Sequence, residues 1–153
     1  MDPYNRLAEL KLELPPPPQP LPTFVMAAQT GNLVFVSGHI ARKDGKPWVG
    51  QLGVNMSTQE GQLAARAIGM DLLATLHGSL GDLRRVERIL KALCLVNSAP
   101  AFTEPHLVAN GCSELLISVL GDAGRHARSA FGVAQLPLGA CVEIELVVQV
   151  RNG

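Results

Sequence analysis

Apolar residues recur along this chain with two periods, one near 3.6 in two long stretches and one of two in several short runs. Ser57–His77 predicts the first helix. Leu63, Ala64, Ala67, Ile68, Met70, Leu72, Leu73 and Leu76 fill one broad stripe, Ser57 with Glu60 fits a capping box, and Gly78 supplies a stop. Phe102–Leu120 predicts the second helix, with Pro105 in its first turn and Gly121 at its end. Its buried stripe is Val108, Cys112, Leu115, Leu116 and Val119, and Asn110 falls off that stripe. Phe24–Ala28 and Leu33–Gly38, around Gly31-Asn32, predict a β-hairpin. Val86–Val96 predicts a long strand with Ile89, Leu93 and Leu95 on one face and Leu90, Ala92 and Cys94 on the other. His126–Val150 predicts two more strands around the Gln135–Gly139 loop. Alternation sets His126, Arg128 and Ala130 against Ala127, Ser129 and Phe131 on the first. On the second, Val142, Ile144, Leu146, Val148 and Val150 make an unbroken apolar row, with Cys141, Glu143, Glu145 and Gln149 mostly on the other side. An arginine and a glutamate can thus stand on adjacent polar faces, a candidate site for an anionic ligand and a water.

The N-terminal part reads differently. Arg6–Leu14 alternates loosely enough to be a strand, with a helical turn as the alternative, and the prolines at 15–18, 20 and 22 stop either and predict an extended connector laid over the surface. Residues 1–22 therefore form an extension and 23–153 a single domain. Arg42–Asn55 is a polar loop that turns at Asp44-Gly45, with Trp48 as a partly buried anchor. The order of strand, strand, helix, strand, helix, strand, strand predicts an α+β sandwich, with two helices on one face of a mixed sheet.

Composition narrows the function classes. Thirteen basic and thirteen acidic residues leave a formal net charge of zero, and one Trp, one Tyr and four Phe are the only aromatics. A nucleic-acid platform needs a basic face with stacking rings, so this composition argues against one. Low net charge gives little colloidal repulsion, which favours covering an exposed apolar face by self-association. Cys94, Cys112 and Cys141 are an odd set at unrelated spacings, read as free thiols in a reducing compartment, not a disulfide frame or a metal site. With no cleavable leader and no apolar run of about 18 residues, a cytoplasmic protein away from membranes is expected.

The strings Ala127-Arg128-Ser129, Leu136-Pro137 and Val142-Glu143-Ile144-Glu145, with Val36-Ser37-Gly38-His39 upstream, resemble the YjgF-type or reactive intermediate deaminase (Rid) family, also called L-PSP endoribonucleases. The resemblance runs from Phe24 to Val150 and implies a chorismate-mutase-like fold. It also implies a homotrimer with a site at each subunit interface, and the hydrolysis of an already electrophilic imine requires no metal or organic cofactor. Residue by residue, it implies that Arg128 binds a substrate carboxylate and that Glu143 stands near the attacking water. Asn110 and Gly38 would line the pocket. Phe24 stands where many members carry tyrosine, and Ala130 where many carry cysteine. His126-Ala127-Arg128-Ser129-Ala130 is similar to one branch of the family.

The chemistry is consistent with that implication. An arginine fork pairs with a carboxylate in a geometry lysine cannot reproduce. A protonated 2-imino acid already has an electrophilic carbon, so holding its carboxylate and aiming a water with one general base is sufficient, and a 2-oxo acid and ammonia result. Two alternatives stand beside hydrolysis: a trimer that binds small carboxylates without turnover, and RNA cleavage, which the charge disfavours.

Overall fold

The computed structural model describes residues 1–19 and 21–152. A short helix α1 (Pro3–Glu9) leads through the proline strap to the hairpin β1 (Ala27–Thr30) and β2 (Leu33–Ile40). A two-residue ribbon follows, β3 (Arg42–Lys43) and β4 (Lys46–Pro47), turning at Asp44-Gly45 with both residues at positive φ. Then come α2 (Thr58–Leu80), β5 (Val86–Asn97), α3 (Pro105–Leu120), β6 (Ala127–Val133) and β7 (Val142–Val150). The main sheet runs β1-β2-β7-β5-β6, with β5 and β6 parallel and every other pair antiparallel. It is a mixed sheet in an α+β sandwich, as the order of periods predicted.

Register explains which face is covered. Val148 stands between Val34 and Ile89, Leu146 between Val36 and Ala92, and Ile144 opposite Cys94. These rows are buried under α2 and α3, whose own stripes include Ile68, Leu72, Leu73, Leu115 and Leu116. The other face keeps Phe35, Val147, Leu93, Leu95 and Phe131 among Lys91, Glu143 and Glu145, and Phe35 and Phe131 remain 49% and 47% exposed. Among the described residues no helix is long and apolar enough to cross a membrane.

Residues 6–14 are not a strand. Asp2 caps α1 by accepting hydrogen bonds from Tyr4 N at 2.8 Å and Asn5 N at 3.2 Å, and Pro3 is pre-set for a first helical turn. Leu7 then enters the core, and Arg6 Nε donates to Ser118 O of α3 at 3.0 Å. The Tyr4 hydroxyl accepts from Leu83 N at 2.7 Å and lies 2.8 Å from His77 Nδ1. Tyr4→Phe leaves the Leu83 N–H without a partner and is expected to cost about 1–2 kcal/mol, read as a lower urea midpoint at unchanged slope.

Other details moved for identifiable reasons. A bulge between Ile89 and Lys91 shifts the alternation of β5, so Ile89 joins Ala92 and Cys94 inside while Leu93 and Leu95 face out. Gly78 lies within α2, which ends at Gly81 in the left-handed region. Leu63 is exposed because the face pressed on α3 is set by the small residues Gly61 and Ala65. Cys141 is buried. The Ser57–Glu60 capping box is present, and Trp48 is half-buried beneath Lys43 Nζ.

Candidate functional site

The strands after His126 are not neighbours: β5 lies between β6 and β7. Arg128 is in register with Ala92, on the helix-covered face, whereas Glu143 is in register with Leu95, on the open face. The adjacent polar faces expected from the sequence are therefore opposite faces of one sheet, and each residue anchors its own cluster.

Edge strand β6 brings Arg128 against α3. Its Nη1 donates to Asn110 Oδ1 at 2.9 Å and to Ser113 Oγ at 3.2 Å, and its Nη2 donates to His106 O at 3.2 Å. Three of the five guanidinium N–H groups are thereby used, all on uncharged acceptors. Among the described residues no carboxylate pairs with Arg128. The Nε–H and one Nη2–H remain, enough donors for a bidentate anion. Asn110 was foreseen here; Ser113 and the His106 carbonyl were not. Helical spacing carried the signal, because positions 106, 110 and 113 share one face of α3.

His126 completes this cluster as a support. Nδ1 donates to Gly124 O at 2.6 Å, so Nε2 is free to accept from Ser113 Oγ at 2.9 Å. Burial first, and the nearby Arg128 charge, hold the ring below its ordinary pKa and keep it neutral. Ala130 follows Arg128 on the same face, in register with Cys94. Cys94 does not stand in for the thiol missing at 130: it is 1% exposed, and burial pushes its pKa up to about 12 against the opposing pull of Arg128. Burial likewise raises Cys112, and Cys141 to about 11.

On the open face Glu143 lies over Gly38. A bulge between Val36 and His39 brings Gly38 so close that a Cβ there would stand 2.4 Å from Glu143 Oε2. Partial burial first, then the charge of Glu145, raise the Glu143 pKa above the ordinary carboxylate range. Gly38 and Phe24 share a depression of about 280 Å³ with Met26 and Leu138. Buried His39 is fixed behind Gly38, with Nδ1 donating to Ser37 O at 2.6 Å and Nε2 accepting from Thr75 Oγ1 at 2.8 Å. One cluster thus holds Arg128, Asn110 and Ala130, and the other Glu143, Gly38 and Phe24. Among the described residues no group of three or more His, Cys, Asp or Glu is placed to hold a metal ion.

A family model described as "YjgF/chorismate mutase-like, putative endoribonuclease" matches residues 4–150. The chain belongs to the YjgF family. The match includes the N-terminal helix and strap as well as the residues from 23 onward. Protein TCP17 of Trypanosoma cruzi is 44% identical over 148 residues, 95% of this chain and 92% of that protein. Among solved YjgF-like structures, Atu1372 of Agrobacterium tumefaciens, of unknown function, superposes with a TM-score of 0.90 at 38% identity, covering 97% of this chain and 92% of that one. A "putative endoribonuclease" from Shewanella oneidensis has a TM-score of 0.93 at 28% identity, covering 98% and 100%.

Proposed function

We propose that this YjgF-family chain hydrolyses reactive 2-imino acids, or their enamine tautomers, to 2-oxo acids and ammonia, at a site completed between copies of a homotrimer. One observation carries the reading: an arginine with spare donors and a half-buried glutamate, unpaired among the described residues, lie on opposite faces of a single sheet. Neither half suffices alone, and the apolar open face with Phe35 and Phe131 is the kind of surface another copy covers.

In the assembled site Arg128 takes the substrate carboxylate on its free donors, while Asn110 and Ser113 fix the plane of the guanidinium. The neighbouring copy supplies Gly38, whose missing side chain leaves room beside the Glu143 carboxylate. Glu143 accepts a proton from water as the water oxygen bonds to C2 of the iminium and the C=N electron pair moves to nitrogen. The proton then returns to that nitrogen, the C–N bond breaks, and ammonia leaves as the hydroxyl loses its proton to become the 2-oxo group. The attacking group is water, so the chemistry needs no thiol at position 130.

The test is decay of freshly generated 2-iminobutanoate and 2-aminoacrylate with wild type, Arg128→Ala and Arg128→Lys. Acceleration by wild type, reduced about 10²-fold or more in both variants, is expected, because lysine cannot reproduce the bidentate fork. Unchanged decay with wild type overturns hydrolysis of these imines. Ala130 and the ring-only Phe24 favour a second reading, a carboxylate-binding trimer without turnover; Arg128-dependent binding of 2-oxobutanoate without imine hydrolysis would select it. RNA cleavage, the activity in the family's name, is assayed on the same preparations, and a native mass of three chains tests the assembly.

A further inference from the structure

A second pair of charges is left over by that site. Arg42, at the start of β3, and Asp71, on α2, line both the 280 Å³ depression and a larger neighbouring cleft of about 750 Å³, so they stand where the two join. The elements that carry them are packed together. Among the described residues neither charged group makes a side-chain hydrogen bond, and neither has an oppositely charged partner within 4.0 Å. The two also stay more than 4.0 Å apart. Asp71 is half-buried, and burial raises its pKa while the charge of Arg42 opposes the rise.

The walls around this pair are largely apolar, with the exposed Glu13 and Gln19 as the other polar residues on the larger cleft. Ala67 and Met70 lie within one turn of Asp71 on α2, and Pro15–Pro18 form the opposite wall. The strap is stiff by composition, and Pro17 approaches Gly78 of α2, where an added Cβ would lie 3.6 Å from its Cγ. Gly45, at positive φ in the β3–β4 turn, lines both spaces without a side chain. An unpaired guanidinium and an unpaired carboxylate, facing one cleft from two rigid elements, match a ligand that carries both charges at short separation. A simple anion would be repelled by Asp71 and by Glu13 at the rim, and a simple amine by Arg42. The largely apolar walls fit an aliphatic side chain, and a cleft of about 750 Å³ lies within the roughly 300–1,000 Å³ typical of small-ligand sites.

We propose that the cleft beneath the proline strap is a separate binding site for a small zwitterionic α-amino acid, its carboxylate on Arg42 and its ammonium on Asp71. The site is distinct from the Arg128 cluster and opens beside the depression of Gly38 and Phe24, and its occupancy does not depend on the deaminase reading. Amino acids are also the chemical precursors of 2-imino acids, so such a site would report on the supply of substrate if that reading holds.

The experiment is an NMR titration of the full chain with L-alanine, with propionate (which lacks the ammonium) and with ethylamine (which lacks the carboxylate). L-Alanine is expected to shift the Gly45, Ala67 and Asp71 amides, and the two truncated probes are not. Arg42→Gln and Asp71→Asn should each weaken L-alanine binding about tenfold or more. Arg128→Ala should leave it unchanged. Absence of shifts with millimolar L-alanine, or equal shifts with propionate, overturns the proposal. Binding lost in Arg128→Ala but retained in Arg42→Gln overturns it too, by moving the amino acid to the other site. Imine assays with Arg128→Ala fail or succeed independently of all these outcomes. Arg42 is exposed and Asp71→Asn preserves shape, so matched spectra of the free variants establish that both are folded.

Discussion

Replacing Gly111 by alanine is expected to lower the melting temperature by about 5–15 °C, the equivalent of about 2–4 kcal/mol in a domain of this size. By helix propensity alone the substitution should help, since alanine is favoured over glycine inside a helix by about 1 kcal/mol. Packing reverses the sign. A Cβ at 111 would stand 2.0 Å from the Gln62 carbonyl oxygen and 2.8 Å from its carbon, and these are backbone atoms of α2 that cannot rotate away. The helices would have to separate, uncovering Cys112, Leu115 and Leu116. Two companion substitutions isolate the cause. At Gly69 the nearest atom is the mobile tip of Leu115 at 2.8 Å, so Gly69→Ala is expected to cost about 1 kcal/mol. At Gly78 the nearest is Pro17 Cγ at 3.6 Å, ordinary contact, and Gly78→Ala is expected to stabilise by about 0.5–1 kcal/mol. Thermal melts of the three variants should therefore rank Gly78→Ala above wild type and Gly111→Ala well below Gly69→Ala. A Gly111→Ala melt within 2 °C or so of wild type would mean that the two helices are not this close.

The same contrast between local pattern and tertiary contact decides how much was legible in the sequence. Periods of 3.6 and two located both long helices and the central strands, because a regular stripe has to be buried somewhere. Deep burial of Val142, Ile144, Leu146, Val148 and Val150 followed from alternation alone. What one-dimensional pattern could not carry was the order of strands in the sheet. β7 inserts between β2 and β5, leaving β6 at the edge, so Arg128 and Glu143 are close in sequence yet face opposite sides. Bulges escaped for a related reason: each inserts a residue, and a shift of one residue reverses the face of everything beyond it. α1 was misread because its cap lies before the apolar alternation that was weighed, in Asp2-Pro3. Family resemblance names Arg128, Asn110, Glu143 and Gly38 as candidates, and the contact of Arg128 with Ser113 was legible from helix geometry, because Ser113 lies one turn after Asn110.

Glu143→Gln is expected to reduce imine hydrolysis about 10²–10⁴-fold, the range for loss of a positioned general base, while leaving ligand binding at Arg128 in place. The acid must be ionised to accept the proton from water. Its pKa is raised, first by burial and then by Glu145, so wild-type activity should fall as the pH drops through that raised value. Glu145→Gln removes the second cause without touching the first, and should therefore move the acid limb of the pH profile to lower pH. Stability runs the other way from activity. A carboxylate whose folded pKa lies above its unfolded pKa favours the folded state most at low pH, and that advantage is lost as the pH rises through the folded pKa. At neutral pH the ionised Glu143 is thus a small burden on the fold, and Glu143→Gln should melt no lower than wild type, which separates lost chemistry from lost structure. Mixing tests where the two halves of the site meet. Inactive Arg128→Ala and inactive Glu143→Gln chains, refolded together in equal amounts, should regain about a quarter of wild-type activity, since in a closed ring each interface draws its arginine and its glutamate from different copies. No recovery on mixing would place both groups of a working site within one chain, which the opposite faces of the sheet make hard to reconcile with this chemistry, and the assignment of Glu143 as the base would fall.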